Sequence, residues 1–254
     1  MISSKKSVFL QVVNFAAFLM TVVVNALSDI LPLNGKTTGE ISDLYPNLFT
    51  PAGYVFSIWG AIYALLLVFV VYQALPRQRE KSFLPKIGYF FVLSSIANVI
   101  WIFLWHYEQI ILSLLPMFAL LSTLIAIYLR LQIGQSHVPL KEKLAVHLPF
   151  SVYLGWITVA PIANVAAALV AIGWDGWGIN EVTWTILMII VVLIITIAVI
   201  STRKDIAFSL VIIWALGGII AKQIKNQSLI LTGGIGIVFI LIVLVIRVIL
   251  ARSS

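Results

Sequence analysis

The sequence predicts an all-α polytopic membrane protein, a transmembrane helix bundle of about eight spans. Three observations predict this class. The 254 residues are 62% hydrophobic and only 10% charged, whereas charged residues make up about a quarter of a soluble domain. The mean hydropathy of +1.12 leaves too few polar side chains to cover most helices. Uncharged stretches of about 16 to 25 residues, near the length that crosses ~30 Å of hydrocarbon, recur along the chain.

These stretches are predicted to be helices, because lipid offers backbone N–H and C=O groups no hydrogen-bond partners. The first stretch has a second interpretation, a signal peptide cleaved near Ser28. Its apolar run exceeds the 7 to 15 residues that are usual for such peptides, so an uncleaved span is favoured. The predicted spans are residues 8–28, 51–74, 87–105, 109–129, 146–172, 182–201, 206–221 and 227–246.

The basic residues predict the orientation of the chain. With the N-terminus in the cytoplasm, all of the 16 Lys and Arg residues fall on the inner side except Lys36, Lys222 and Lys225, as the positive-inside rule requires. The net charge of +7 is scattered between apolar runs, which argues against a nucleic-acid-binding face. We therefore expect a multi-pass protein of the cell membrane with both termini in the cytoplasm.

Spans six to eight differ from the first five. They are dominated by Ile, Val and Leu, contain only Trp184 and Trp214 of the eight Trp residues, and include glycines that suit close helix contacts. We therefore predict a five-helix ligand-binding core over residues 1–175 and a three-helix membrane extension over residues 176–254. The absence of cysteine excludes disulfides and thiol chemistry.

Span two combines a helix-start signal with an aromatic stripe. Thr50 followed by Pro51 is typical of an N-cap and a first helical position, which predicts that the helix begins there. Phe56, Trp59 and Tyr63 follow at intervals of three and four residues, so they share one helix face.

Spans three and five each carry an aromatic and polar face similar to that of span two. Their residues are predicted to lie at the same depth in the membrane. Ser94, Asn98, Trp101 and Trp105 share one face of span three, and span five has an equivalent set. Trp59, Asn98 and Asn164 each lie about 12 Å below the outer boundary at 1.5 Å per residue. Buried amides need hydrogen-bond partners, so we predict a pocket between spans two, three and five. The long outer loop of residues 29–50 is the candidate lid. The span-five residues are Tyr153, Trp156, Ala160 and Asn164.

The alternative is that the aromatic residues form belts at the membrane interfaces and that the amides only join helices. This interpretation is preferred for the residues nearest the outer boundary, Trp105, Tyr107, Trp174 and Trp177. For the deeper Trp59, Trp101 and Trp156 the two interpretations remain open from the residues alone.

Three segments resemble the TspO/translocator protein family, the tryptophan-rich sensory proteins. They are residues 49–56, which read Phe-Thr-Pro-Ala-Gly-Tyr-Val-Phe, the pair Asn98 and Trp101, and the series Trp156, Ala160 and Asn164. The resemblance covers residues 8–172. Here Ala52 stands where the family has a second proline, and Phe49 and Tyr54 stand where it has Trp. The last three spans have no counterpart in the five-helix core of that family.

The resemblance implies a five-helix bundle that binds porphyrins, sterols or synthetic aromatic ligands in a pocket beneath the first loop. Asn98 and Asn164 would orient the ligand, and the Trp rings would stack on it. The candidate ligand-binding residues are Phe49, Pro51, Phe56, Trp59, Tyr63, Asn98, Trp101, Tyr153, Trp156, Ala160 and Asn164.

The leading functional hypothesis is an integral membrane sensor or receptor for a hydrophobic or tetrapyrrole-like ligand. The alternative is a transporter that moves a small hydrophobic substrate through the same cavity. Ion-coupled transporters usually carry an intramembrane acid or histidine, and no span has one at its middle. We expect the lipid bilayer and a porphyrin-like or sterol-like small molecule as partners, no nucleic acid and no cofactor; a homodimer remains an open alternative.

Enzymatic activity is not expected. Catalysis needs acids, bases or a nucleophile that converge in one pocket. His106 falls outside and His137 and His147 fall near the inner boundary, so no two histidines meet at one level to hold a metal ion. Lone histidines at these boundaries are expected to be solvated.

Overall fold

The computed structural model describes residues 4–253, and this part of the chain contains helices and no strand. Eight long helices correspond to the eight predicted spans, which confirms the predicted fold class. They are α1 (Ser4–Ile30), α3 (Ile58–Ala74), α5 (Phe90–His106), α6 (Ile110–Leu131), α8 (Leu148–Ala171), α9 (Glu181–Arg203), α10 (Ile206–Lys222) and α11 (Gln227–Ser253). Three short helices lie between them: α2 (Thr38–Leu44), α4 (Phe83–Ile87) and α7 (Leu140–Glu142).

Length and composition make six of the long helices candidate membrane spans. The other two, α5 and α10, are apolar but have 17 residues each. At 1.5 Å per residue such a helix measures about 26 Å, slightly less than a hydrocarbon core of ~30 Å. Their neighbours in the bundle are longer, so about eight spans is consistent with the packing.

The first five spans form a closed ring. Helix α1 contacts α5, α5 contacts α6, α6 contacts α8, α8 contacts α3, and α3 returns to α1. The interior of this ring holds the aromatic faces of α3, α5 and α8. A further turn of π-helix, Lys143–His147, joins α7 to α8.

A polar stripe runs along the buried face of α1. The polar residues recur at intervals of three, four or seven, so they share one face of the helix. Because lipid offers amide groups no hydrogen-bond partners, this face contacts protein. Asn14 Nδ2 donates to Gln73 Oε1 at 2.9 Å, and Gln73 Nε2 donates to the carbonyl of Gln11 at 3.1 Å. These bonds join α1 to α3. The buried polar residues of the stripe are Ser7, Gln11, Asn14, Thr21, Asn25 and Ser28.

The predicted helix start at Thr50 and Pro51 is wrong. A turn of 3-10 helix spans Gly53–Ser57, and α3 begins at Ile58. The backbone groups of the preceding segment find partners elsewhere: the Thr50 N–H donates to Asn47 Oδ1 at 2.8 Å and the Ala52 N–H to the carbonyl of Gly218 at 3.1 Å. With these donors satisfied, the segment before residue 53 needs no helical bonds.

The last three spans pack on the outside of the ring. Helix α10 contacts α8 and the Gly53–Ser57 turn, and α11 contacts α9 and α10. A Cβ atom at Gly218 would lie 2.2 Å from Val55 Cγ2, so only glycine lets α10 approach this closely. Trp214 Nε1 also donates to the carbonyl of Val55 at 3.1 Å. Span seven therefore contacts the start of span two directly. The division at residue 175 stays a prediction.

Candidate functional site

An aromatic cluster fills the outer half of the ring. The Trp59 ring stacks on Tyr63 with 5.6 Å between centroids and meets the Trp156 ring edge-on at 6.3 Å. Phe56 contacts Trp156 edge-on at 5.8 Å, and Tyr153 contacts Trp59 at 5.9 Å. These distances lie in the favourable range for aromatic pairs, so the face of α3 and the face of α8 interlock.

A cavity of about 40 Å³ lies between α3, α5 and α8, directly above this cluster and below α2. A space of this volume holds a few water molecules and is far smaller than the ~300 Å³ at the lower end of ligand pockets. The structure therefore shows this inner cavity closed. Its lining residues are Thr38, Ser42, Thr50, Pro51, Phe56, Trp59, Trp101, Trp105, Met117, Trp156, Val159, Ala160, Ala163 and Asn164.

Most of the candidate ligand-binding residues line this inner cavity, and four do not. Tyr63 and Tyr153 lie behind the Trp59 ring. Phe49 is buried but lines a different cavity, on another face of α8. Asn98 accepts a hydrogen bond from Asn25 Nδ2 of α1 at 2.6 Å. The inner cavity thus contains Pro51, Phe56, Trp59, Trp101, Trp156, Ala160 and Asn164.

Asn164 joins three helices of the ring. Its Oδ1 accepts the Trp101 indole N–H at 2.9 Å, and its Nδ2 donates to Ser113 Oγ at 2.9 Å. All three residues are buried. The amide therefore fixes the Trp101 ring at the cavity wall while it links α8 to α5 and α6. The sequence analysis did not single out Ser113, although a polar residue in the first turn of span four was a visible signal.

Trp156 carries an unsatisfied donor beside the cavity. The side chain is 3% exposed, and its Nε1 has no acceptor among residues 4–253. Buried indole N–H groups usually have a partner, and leaving one unpaired costs about 1–3 kcal/mol. The unpaired donor thus belongs to a side chain that lines the inner cavity.

Helix α2 covers the inner cavity. Thr37 and Glu40 form a capping box at its start, in which the Glu40 carboxylate accepts the Thr37 backbone N–H at 2.7 Å. This bond lowers the pKa of the Glu40 carboxyl below its usual value. Ile41 of α2 is fully buried, and Trp105 Nε1 donates to the carbonyl of Thr38 at 3.2 Å. The predicted lid is thus a helix seated on α5.

Trp105 was interpreted as an interfacial belt residue, and that interpretation is wrong. The ring is 5% exposed, lies beneath α2, and stacks on Trp101 with 5.5 Å between centroids. The sequence places Trp105 at the correct depth, but it does not show that the outer loop folds back over α5.

Two ion pairs tether the outer loop from opposite sides. Lys36 Nζ lies 2.6 Å from Glu108 Oε1, and Lys222 Nζ lies 3.1 Å from Asp43 Oδ1. These pairs are partly exposed, so each stabilises the closed loop by about 0–1 kcal/mol. They use two of the three lysines that fall on the predicted outer side.

The expectation that boundary histidines are solvated is wrong for two of the three. His106 is fully buried and His147 is buried, while His137 is exposed. The His106 Nδ1 atom lies 2.8 Å from the carbonyl of Ile102 on the same helix. The outer loop covers His106, because Asn34 Nδ2 in that loop donates to the His106 carbonyl at 3.1 Å. Across the described chain, no group of three or more His, Asp or Glu side chains is placed to hold a metal ion.

The comparison with protein families gives a match to a family described as TSPO-like protein, over residues 11–247. The chain belongs to the TSPO-like protein family. The suspected resemblance is thereby confirmed, and the match also includes spans six to eight, which the five-helix resemblance leaves out. No curated protein and no solved structure matches the chain significantly.

In this TSPO-like membrane protein the three motif segments meet at the inner cavity. Pro51 and Phe56 come from the first segment, Trp101 from the second, and Trp156 and Asn164 from the third. Asn98 of the second motif instead faces α1. Phe56, Trp101 and Trp156 therefore form the aromatic part of the wall, while Asn164 both lines the cavity and joins neighbouring helices.

Proposed function

We propose that this TSPO-like protein is a membrane sensor or receptor that binds a hydrophobic, tetrapyrrole-like ligand in the inner cavity between spans two, three and five. The observation that carries the proposal is a cavity walled by the Trp59, Trp101 and Trp156 side chains, of which Trp156 has an unpaired indole N–H. The cavity wall supplies ring faces and a side chain with an unpaired donor. The proposal is a binding role without enzymatic activity.

The chemistry of the wall defines the ligand class. A flat aromatic ligand gains about 0.5–1.5 kcal/mol from each ring that it stacks on, beyond the burial of apolar area. The Trp156 N–H would donate to a carbonyl or carboxylate oxygen of the ligand. A planar aromatic molecule with an acceptor group at its edge, such as a porphyrin carboxylate, satisfies both requirements.

Binding of such a ligand requires the lid to move, because the closed cavity has a volume of about 40 Å³. Helix α2 rests on α5 through the buried Ile41 and the bond from Trp105 to Thr38. Its flanks are held by the two exposed ion pairs. Ligand entry would displace α2 and thus change the outer surface, which gives a sensor a signal to transmit.

Replacing Trp156 by Phe tests this proposal. The substitution keeps a ring in the wall but removes the pyrrole part of the indole together with the unpaired N–H. The void left at this buried position lowers the stability and offsets the gain from removing an unpaired donor. The affinity for protoporphyrin IX should fall about fivefold to tenfold, the effect of one lost hydrogen bond. Quenching of the remaining Trp fluorescence in detergent measures the affinity.

The matched control is Trp177→Phe, because Trp177 is 77% exposed and lies away from the inner cavity. Unchanged affinity in Trp156→Phe would show that the indole N–H does not contact the ligand. Net accumulation of labelled porphyrin inside proteoliposomes would identify the alternative, a transporter that uses the same cavity.

We also propose that the protein lies in the cell membrane with both termini in the cytoplasm, as the distribution of Lys and Arg favours. The chain has no cysteine, so single-cysteine variants can be labelled without background. His137 and Lys225 are exposed loop residues on the predicted inner and outer sides. A membrane-impermeant thiol reagent applied to intact cells should label Lys225→Cys and should label His137→Cys only after lysis. The reverse pattern would invert the topology.

A further inference from the structure

A second cavity, larger than the inner cavity, lies outside the five-helix ring. It has a volume of about 630 Å³ and is lined mainly by α8 and α9, with the loop of residues 173–180 at its outer end. Residues 47–49 of the outer loop and Phe118 of α6 also line it. We call it the outer groove. Val165 and Ala166 of α8 line it, whereas the neighbouring Ala163 and Asn164 line the inner cavity. The two spaces therefore lie on different faces of one helix.

The outer groove opens sideways and is mainly apolar along its length. Its lining residues Phe118 of α6 and Val170 of α8 are 46% and 38% exposed, so the groove is open at the surface of the bundle. Leu169, Ile179 and Met188 line its walls. From Glu181 to Met188 the groove follows α9 for about 10 Å at 1.5 Å per residue. Its volume lies within the ~300–1,000 Å³ that is usual for small-molecule pockets.

Aromatic rings and negative charge meet at the outer end of the groove. Trp174 and Trp184 line this end with 5.3 Å between their ring centroids, and Trp177 contacts both. Trp184 is held in place by a bond from its Nε1 to the carbonyl of Gly176 at 3.0 Å. The loop of residues 173–180 thus holds the Trp184 ring in place at this end of the groove.

The two carboxylates at this end, Asp175 and Glu181, also line the groove. Asp175 Oδ1 accepts the Trp177 backbone N–H at 2.9 Å, and Glu181 lies in the first turn of α9. Neither forms an ion pair with a Lys or Arg side chain of residues 4–253. No basic residue lines the groove, so the negative charge at its outer end is not neutralised by the chain.

We propose that the outer groove binds an amphiphile with a single apolar tail and a cationic ammonium head. The tail lies between α8 and α9, and the ammonium group lies among Trp174, Trp184 and the two carboxylates. A cation within about 6 Å of a Trp face is attracted by the ring quadrupole, and the carboxylates add charge complementarity. A phospholipid fits less well, because its phosphate would approach Asp175 and Glu181.

The test uses the full chain in phosphatidylcholine nanodiscs and a decyltrimethylammonium probe with a photoreactive diazirine on its tail. The probe should crosslink saturably to peptides of α8 and α9. Unlabelled decyltrimethylammonium should compete with it, while decanoate and decanol, which have the same tail and a different head, should compete at least about tenfold more weakly. Equal competition by decanol would show that the groove accepts any apolar chain and would overturn the proposal.

Two variants test the two parts of the groove, the end that binds the ammonium head and the apolar part that holds the tail. Asp175→Asn combined with Glu181→Gln should weaken probe binding about tenfold, because each partly exposed carboxylate contributes a modest attraction. Glu80→Gln is the control for a change of charge, since Glu80 is an exposed carboxylate that neither lines the groove nor forms an ion pair within residues 4–253. Ala166→Phe should block the apolar part and abolish saturable crosslinking. Labelling that survives Ala166→Phe, or unchanged affinity in the double variant, would place the probe elsewhere.

This proposal is independent of the ligand of the inner cavity. Trp156→Phe alters only the inner cavity and should leave crosslinking in the outer groove unchanged. If Trp156→Phe loses porphyrin binding but still binds the ammonium probe, the outer-groove proposal stands. If the protein binds porphyrin but not the ammonium probe, only the outer-groove proposal is overturned.

Discussion

Replacing Asp205 by Ala should destabilise the protein by about 3–5 kcal/mol. Asp205 is 7% exposed and caps the start of α10, where its Oδ1 accepts the Phe208 backbone N–H at 3.2 Å. The same carboxylate accepts Ser151 Oγ of α8 at 2.6 Å and the Tyr128 hydroxyl of α6 at 2.8 Å. Its loss leaves three donors without this acceptor, and each buried unpaired donor costs about 1–3 kcal/mol.

The thermal unfolding midpoint in detergent, followed by size-exclusion chromatography, measures this effect. Asp205→Asn is the matched control, because it keeps an Oδ1 acceptor for the Phe208 N–H and one of the two hydroxyls. It should therefore lose much less stability than Asp205→Ala. Tyr128→Phe and Ser151→Ala each remove one donor and should have smaller effects still. An Asp205→Ala protein as stable as the wild type would show that α10 is not anchored to the ring at this residue.

The fold was predictable because hydrocarbon imposes a strict length on each helix. The eight spans follow from uncharged runs of suitable length. The start of α3 did not follow, although Thr50 and Pro51 have the residue types of a helix start. Thr50 donates its backbone N–H to Asn47 in the loop, and Ala52 donates its own to the distant Gly218. A pattern within one segment cannot reveal such a partner.

The sequence predicted the depth of the candidate site residues in the membrane, but it did not predict which neighbouring helix each side chain faces. Trp59 and Asn164 lie at the same predicted level and line the same inner cavity. Asn98 lies at that level too, yet it faces Asn25 on α1. Successive residues of a helix point in different directions around its axis, so the depth of a residue does not determine which neighbour its side chain faces. The period of polar residues on α1 was visible in the sequence and indicated that Asn25 faces protein, but it did not identify Asn98 as the partner of Asn25.

The outer groove was not predictable from the sequence, because it depends on how α9 is placed against α8. Trp174 and Trp184 lie at a helix end where aromatic belts are usual. In the structure they contact each other and form part of one wall. Whether an aromatic residue at the boundary faces lipid or a cavity depends on its tertiary neighbours, and the residue type carries no information about them.

Replacing Asn164 by Leu should lower both stability and ligand affinity, and the reason lies in Trp101. The substitution removes the acceptor of the Trp101 indole N–H, which leaves a buried donor unpaired at a cost of about 1–3 kcal/mol. Ser113 keeps its own bond to the carbonyl of Ile110 at 2.6 Å and should contribute little to the loss. A Trp101 ring that is no longer held in place should then stack less well on a ligand.

A double-mutant cycle separates this positioning role from direct contact with the ligand. In a Trp101→Phe background no indole N–H remains to be held, so Asn164→Leu should change unfolding stability and protoporphyrin IX affinity by less than about 0.5 kcal/mol. Ser113→Ala serves as the control for the other partner of Asn164. If Asn164→Leu weakens porphyrin binding equally in both backgrounds, its amide contacts the ligand itself. If it has no effect in either, Asn164 contributes neither to the position of Trp101 nor to the site.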